Sequence, residues 1–265
     1  MEDRLINIEL TGKTALVCGA SKGIGRATAF QLAQQGANVV LLARSKDILV
    51  RMVKELPGSG SHHFLAVDIS HRDLLKFSVE SFIDKHGPIH ILVNNSGGPK
   101  GGPITDASSE EFLNAFQNHL LVNSLLTQLL LPGMKKSSYG RIINIISTSV
   151  KVPIQNLGVS NTIRAAVANW AKTLSLEVAT LGITVNNVLP GYTSTERLIE
   201  LMENAAIKTG RSIAQIDNEW KNAVPMKRFA EPREIAAAIA FLASPAASYI
   251  NGINLPVDGG RTGCL

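Results

Sequence analysis

Six short runs, apolar almost throughout, alternate with longer amphipathic segments along this chain, and that alternation restricts its fold more than any other feature. The runs are Thr14–Cys18, Asn38–Ala43, His63–Val67, Ile89–Asn94, Arg141–Ile146 and Ile183–Leu189. Strands that read as continuous apolar stretches are covered on both faces, as in the parallel sheets of α/β proteins. Between them Ile24–Gln35, Lys46–Leu56, Arg72–Lys85, Glu110–Lys135 and Val159–Thr180 carry helical periodicity, and Gly36 and Gly182 stand where helix C-caps belong. A last helix over Pro232–Leu242 and a short strand over Ile253–Val257 close the pattern. The expected architecture is a single α/β domain over residues 1–265, a doubly wound parallel sheet of about seven strands with helices on both faces. A polar, helical insertion over 195–224 follows the sixth strand, where insertions usually shape a ligand site.

Composition narrows the class of function. With 45% hydrophobic and 18% charged residues, the 265-residue chain has the balance of a globular protein, not a disordered one. The net charge of +5 comes from scattered Lys and Arg, a basic surface suited to anionic ligands and without the clustered stripe a nucleic-acid binder needs. Two cysteines, Cys18 and Cys264, point to a reducing compartment, and Cys18 reads as a small packed residue. The acidic start lacks the basic stretch and apolar run of a signal peptide. The greasiest segment, Leu120 to Leu131, is interrupted by Asn123, Thr127 and Gln128 and falls short of the ~20 apolar residues that span a bilayer. We therefore expect a soluble cytoplasmic protein with no membrane or nucleic-acid partner. His62-His63 has no partner at ligand spacing, so it reads as solvated surface and no metal is expected.

The first strand runs directly into Cys18-Gly19-Ala20-Ser21-Lys22-Gly23-Ile24-Gly25 and then a helix. Glycines permit a tight turn and close approach of backbone to a pyrophosphate, and the helix start offers free N–H groups and positive dipole. Placed between a first strand and a first helix, this is a Rossmann-type dinucleotide cradle, with Gly-x3-Gly-x-Gly spacing. At the end of the second strand, where an acid would accept from a ribose 2′-OH, the chain has Arg44, whose planar fork suits a 2′-phosphate, and Lys22 is a second cation. The expected cofactor is NADP(H).

Further motifs follow in order: Val67-Asp68-Ile69, Asn94-Asn95-Ser96-Gly97, the run from Gly140 to Ser147, Asn186-Asn187-Val188-Leu189-Pro190-Gly191 with Thr195, and Val257-Asp258-Gly259-Gly260. Together with the glycine turn they make the chain resemble the short-chain dehydrogenase/reductase family over nearly its whole length, above all the reductases of 3-oxoacyl-carrier-protein substrates. The resemblance implies cofactor contacts from Gly19, Ser21, Lys22, Gly23, Ile24 and Gly25. It also implies that Asp68 and Ile69 meet the adenine, that Asn95, Ser96 and Gly97 line the cofactor's middle, and that Pro190, Gly191, Thr193 and Thr195 border the nicotinamide.

The same resemblance exposes a departure. Family chemistry rests on Asn, Ser, Tyr and Lys, and only the serine, Ser147, is kept. The tyrosine position holds Ser160, the lysine position Arg164 and the asparagine position His119. A serine hydroxyl does not titrate near neutrality, and arginine is not a compact ammonium, although it could still hold ribose hydroxyls. Three readings stay open. The chain is a reductase of ketone and secondary-alcohol substrates, including 3-oxoacyl thioesters, with an unusual proton donor: His119, whose ordinary pKa is near neutrality, Tyr192 or Lys151. Alternatively it binds NADP(H) with little catalysis, or it uses His119 for a non-redox isomerisation or dehydration. The insertion mixes Met202, Ile207, Ile213 and Ile216 with Lys208 and Arg211, a cover for an apolar chain with an anionic end, and residues 97–103 form a glycine- and proline-rich wall or loop. The resemblance also implies a homo-oligomer, a dimer or tetramer, with the helix bearing Trp170 and Leu174 against a sister subunit.

Overall fold

A computed structural model describes residues 6–264, so the acidic start at residues 1–5 lies outside the described residues. Seven strands form one parallel sheet in the order β3-β2-β1-β4-β5-β6-β7: β1 (Thr14–Cys18), β2 (Asn38–Ala43), β3 (His63–Ala66), β4 (Ile91–Asn94), β5 (Gly140–Ile145), β6 (Ile183–Pro190) and β7 (Asn254–Val257). Successive side chains leave opposite faces of a strand, so each apolar run feeds two cores. Ala15, Val17, Val39, Leu41, Ile91, Val93, Ile143 and Ile145 pack against α1 (Gly23–Gln34), α2 (Lys46–Glu55) and α9 (Pro232–Ala243). Leu16, Cys18, Val40, Leu42, Leu92, Ile142 and Val185 pack against α3 (Arg72–His86), α5 (Val122–Lys136) and α6 (Gly158–Val178). Helices on both faces are why the strands carry no polar side. Cys18 is buried on that second face, where desolvation pushes its thiol up to about 12, so it is inert.

Three expectations change in detail. The helix expected over Glu110–Lys135 is broken into α4 (Ser109–Phe116), a π-helical turn over Gln117–Leu121, and α5. The π turn, bonded i→i+5, holds one more residue than an α turn, and His119 lies buried within it. The 195–224 insertion is two helices, α7 (Glu196–Thr209) and α8 (Ile213–Asn222), broken at Gly210 (φ 67°) and restarted by a Ser212–Gln215 capping box. Finally, His62 and His63 are not free surface. His62 Nδ1 accepts from the Val39 amide at 3.2 Å, and the His63 ring packs at a tilt against His86 with ring centroids 4.2 Å apart. Among the described residues no helix is long and apolar enough to cross a membrane.

Candidate active site

The order of the sheet reverses between β1 and β4, both of whose carboxyl ends open on one crevice; open α/β sheets place ligands there. The glycine turn closes its floor. Gly19 (φ 58°) and Gly23 (φ 55°) take the left-handed backbone that glycine alone adopts without strain. A Cβ on Gly25 would stand 2.2 Å from the Gly19 carbonyl oxygen, so helix and turn touch as only glycine allows. Asn95 Nδ2 donates to that same carbonyl at 3.4 Å and fixes the turn against the end of β4. No side chain caps α1 and no acid lies in its first turn, which leaves its opening amides free for an oxyanion. These features fit a dinucleotide pyrophosphate.

Arg44 follows β2 at the rim of the crevice, its side chain 79% exposed and 3.8 Å from Asp68 Oδ2. An ion pair that long and exposed holds weakly, so the fork is free to meet a phosphate. Asp68 chiefly organises its own turn. It accepts from the Ser70 amide at 2.9 Å and the Ser70 hydroxyl at 2.8 Å, bonds that hold its carboxyl below the usual range. Lys22 is placed differently from the expected second cation, because its ammonium is taken by Glu196 at the first turn of α7. Thr195 caps that helix and its methyl stands 3.2 Å from where a Gly23 Cβ would be, so the insertion begins against the glycine turn. Gly191 is pinned to β7 by its amide bond to the Val257 oxygen at 3.0 Å, and the Thr193 hydroxyl donates to the Gly191 oxygen at 3.1 Å. Ser21, Ile24 and Ile69 are half-buried, Ile24 against one core of the sheet and Ile69 against the other, and Gly97 is exposed with nothing near the position of a Cβ.

Of the residues proposed for chemistry, several converge. Arg164 lies in α6, 8% exposed, and its Nη1 donates to the Ile145 oxygen at 2.8 Å, two residues before Ser147. Ser160 sits one turn earlier on the same helix face, and its hydroxyl makes no side-chain hydrogen bond among the described residues. The Ser147 hydroxyl accepts from the Ser149 amide at 3.1 Å, leaving its proton free to donate. His119, 3% exposed, has Nδ1 2.6 Å from the Ser96 hydroxyl. Burial and then the Arg164 charge push its pKa down to about 3, so it is neutral at pH 7 and lacks the spare proton its ordinary pKa suggested. Tyr192 belongs to the core of the insertion. Its ring stacks on Trp220 at 4.9 Å and its hydroxyl accepts from Arg261 at 3.3 Å, while burial raises its pKa. Of the remaining tyrosines, Tyr139 donates to the Ala243 oxygen at 2.6 Å and Tyr249 stands fully exposed. Lys151 is half-buried after a short turn that follows Ser147.

Sequence reasoning missed two features. One is a ladder of in-register asparagines across four strands, with bonds Asn94 to Asn144 at 2.8 Å, Asn144 to Asn187 at 2.9 Å and Asn187 to Asn254 at 2.8 Å. An amide inside each otherwise apolar run was its visible signal. The other is Arg197 in α7, whose Nη2 donates to the Pro99 oxygen at 3.1 Å and whose Nη1 meets Glu200 at 3.2 Å; no spacing rule singles it out.

The profile of a family described as Enoyl-(Acyl carrier protein) reductase matches residues 19–262. The chain is 36% identical over 255 residues to the 3-oxoacyl-[acyl-carrier-protein] reductase FabG of Vibrio cholerae, covering 96% of this chain and 98% of that protein. The L-sorbose reductase of Gluconobacter frateurii, solved with NADPH and L-sorbose, superposes with a TM-score of 0.92 at 31% identity, covering 98% of this chain and all of that one (100%). The 3-ketoacyl-(acyl-carrier-protein) reductase of Brucella melitensis, solved with NADH, superposes with a TM-score of 0.84 at 32% identity over 96% of this chain and 100% of that one.

Proposed function

Because this chain belongs to the short-chain dehydrogenase/reductase family, we propose that it is an NADP(H)-dependent oxidoreductase that interconverts a ketone and a secondary alcohol. The observation that carries the reading is the open start of α1 joined to the exposed fork of Arg44. The amides of the turn from Gly19 to Gly25 would hold the pyrophosphate and Arg44 the 2′-phosphate. Asp68 and Ile69 would lie at the adenine, Asn95, Ser96 and Gly97 along the middle, and Pro190, Gly191, Thr193 and Thr195 beside the nicotinamide. When bound, the reduced nicotinamide supplies a hydride to the carbonyl carbon.

The chain's own residues must then polarise the carbonyl oxygen and give it a proton. The unshared proton of Ser147 polarises it, and the fixed charge of Arg164 lowers the cost of negative charge developing there. Tyr139 gives its proton to the Ala243 oxygen, Tyr192 is stacked on Trp220 in the insertion and Tyr249 is fully exposed, so the proton would come through His119. The neutral ring takes a proton from solvent on Nε2 as its Nδ1 proton passes to Ser96, whose own hydroxyl proton goes to the alkoxide oxygen. Single-turnover oxidation of NADPH against a panel of ketones, 3-oxoacyl thioesters among them, tests this. Ser147→Ala and His119→Ala should each lose about 10²–10⁴ in rate while Tyr192→Phe keeps it. Full activity in both alanine variants would overturn the assignment.

A second reading rests on the neutral state of His119. A site without a titrating acid suits a protein that binds NADP(H) and turns little over. Micromolar NADPH binding with no turnover on any ketone would favour it. Exposed Leu113 on α4 and Leu176 on α6 support a homo-oligomer, checked by light scattering.

A further inference from the structure

We infer that this site, on the reading that it is a carbonyl reductase, selects substrates that carry a free carboxylate, gripped between Arg164 and Arg197 over the bare backbone of Gly98. Nη2 of Arg164 and Nη2 of Arg197 each lie 3.9 Å from the point where a Cβ on Gly98 would stand, so the two nitrogens are within twice that distance of each other. Gly98 is exposed and has no side chain to fill the space between them. The two arginines reach this point from different elements, α6 and the first turn of α7, so the insertion completes the site.

Arg164 is short of partners. Nη1 is satisfied by the Ile145 oxygen, but Nε is buried with no acceptor and Nη2 makes no hydrogen bond. No carboxylate among the described residues pairs with it, and the charge it feels most is the like charge of Arg197. A desolvated guanidinium without a counter-charge is costly, and a ligand that brings the charge relieves that cost on binding. Arg197 already shares Glu200, so the two arginines and this acid together leave one net positive charge. That balance suits a monovalent, planar carboxylate, which matches a guanidinium fork, better than a dianionic phosphate. Ribose hydroxyls could satisfy donors of Arg164 but would leave its charge unmatched.

Calorimetric titration with acetoacetate and with acetoacetyl-N-acetylcysteamine, a neutral thioester of the same 3-oxoacyl group, decides the matter, run with and without NADP⁺. The acid should bind the wild type about tenfold to a hundredfold more tightly than the thioester, the worth of a charge-assisted hydrogen bond. Arg197→Gln should weaken the acid about fivefold to thirtyfold and leave the thioester unchanged. Arg164→Gln should do the same, with Arg164→Lys recovering part of the loss. NADPH fluorescence titration should be unaltered in Arg197→Gln. If Arg164→Gln does not fold, exposed Arg197 still carries the test. A thioester that binds as tightly as the acid, an acid affinity indifferent to Arg197→Gln, or a loss of NADPH instead of acid affinity in Arg164→Gln would each overturn the inference. Failure of the wild type to bind NADPH would remove the reductase reading instead, while the acid-to-thioester ratio on the free protein would still decide the anion site.

Discussion

Arg44 and His119 show how burial decides what a charged side chain does. Arg44 stands at the rim with a weak partner in Asp68, so its contribution is almost all to a ligand and hardly to stability. Arg44→Ala should therefore cost NADPH about 1.5–3 kcal/mol of affinity, the worth of hydrogen bonds to a charged group, and leave NADH almost unaffected; parallel fluorescence titrations measure the difference. His119 is the opposite case. Its folded pKa of about 3 lies below the 6.5 of an unfolded histidine, so below pH 6.5 the unfolded chain takes up a proton that the folded one refuses. Its titration costs almost nothing at pH 7 and increasingly more as pH falls, down to about 3. Between pH 7 and pH 4.5 this one group should remove about 2–3 kcal/mol. His119→Asn should flatten that part of the acid dependence in denaturant melts, and an unchanged slope would show that the imidazole is reached by solvent.

At the scale of elements, the insertion matters more than its polar composition suggests. Lys22 in the glycine turn and Glu196 at the start of α7 are distant in sequence yet bonded across the mouth of the cradle. An exposed pair contributes little to stability, about 0–1 kcal/mol, but a cofactor phosphate must compete with Glu196 for the ammonium. Glu196→Gln should leave the melting temperature nearly unchanged and tighten NADPH about threefold to tenfold; weaker binding would mean that the contact holds the insertion in place and not the cation in reserve. This pair was invisible in the sequence because nothing local links residue 22 to residue 196. Strands and cradle were legible for the converse reason. Continuous runs such as Asn38–Ala43 and the placement of Gly19, Gly23 and Gly25 express local rules: burial on both faces, and positive φ beside a helix start. The π-helical turn was not legible, since Glu110–Lys135 keeps its apolar helical periodicity through Gln117–Leu121 and no residue type marks the wider turn. The state of His119 was hidden likewise, because a pKa depends on what surrounds the ring.

On the scale of the whole molecule, the crevice joins parts that few covalent neighbours share. Its floor comes from β1 and α1, one wall from β4 and the bulge before α5, the other from β6, α6 and the insertion. A ligand seated there touches both halves of the sheet, so it binds only when both are folded and draws free energy from the native state alone. Such a ligand stabilises by RT ln(1 + [L]/Kd), about 2.7 kcal/mol at a hundredfold excess over Kd. For a chain of this size each kcal/mol moves the melting temperature by about 2–4 °C, so saturating NADPH should raise it by roughly 5–10 °C. NADH at the same concentration should raise it less, by the affinity that Arg44 withholds, and Arg44→Ala should bring the two shifts together. Equal shifts from both cofactors in the unmutated protein would mean that Arg44 does not read the 2′-phosphate, and the preference would have to be sought elsewhere on the rim.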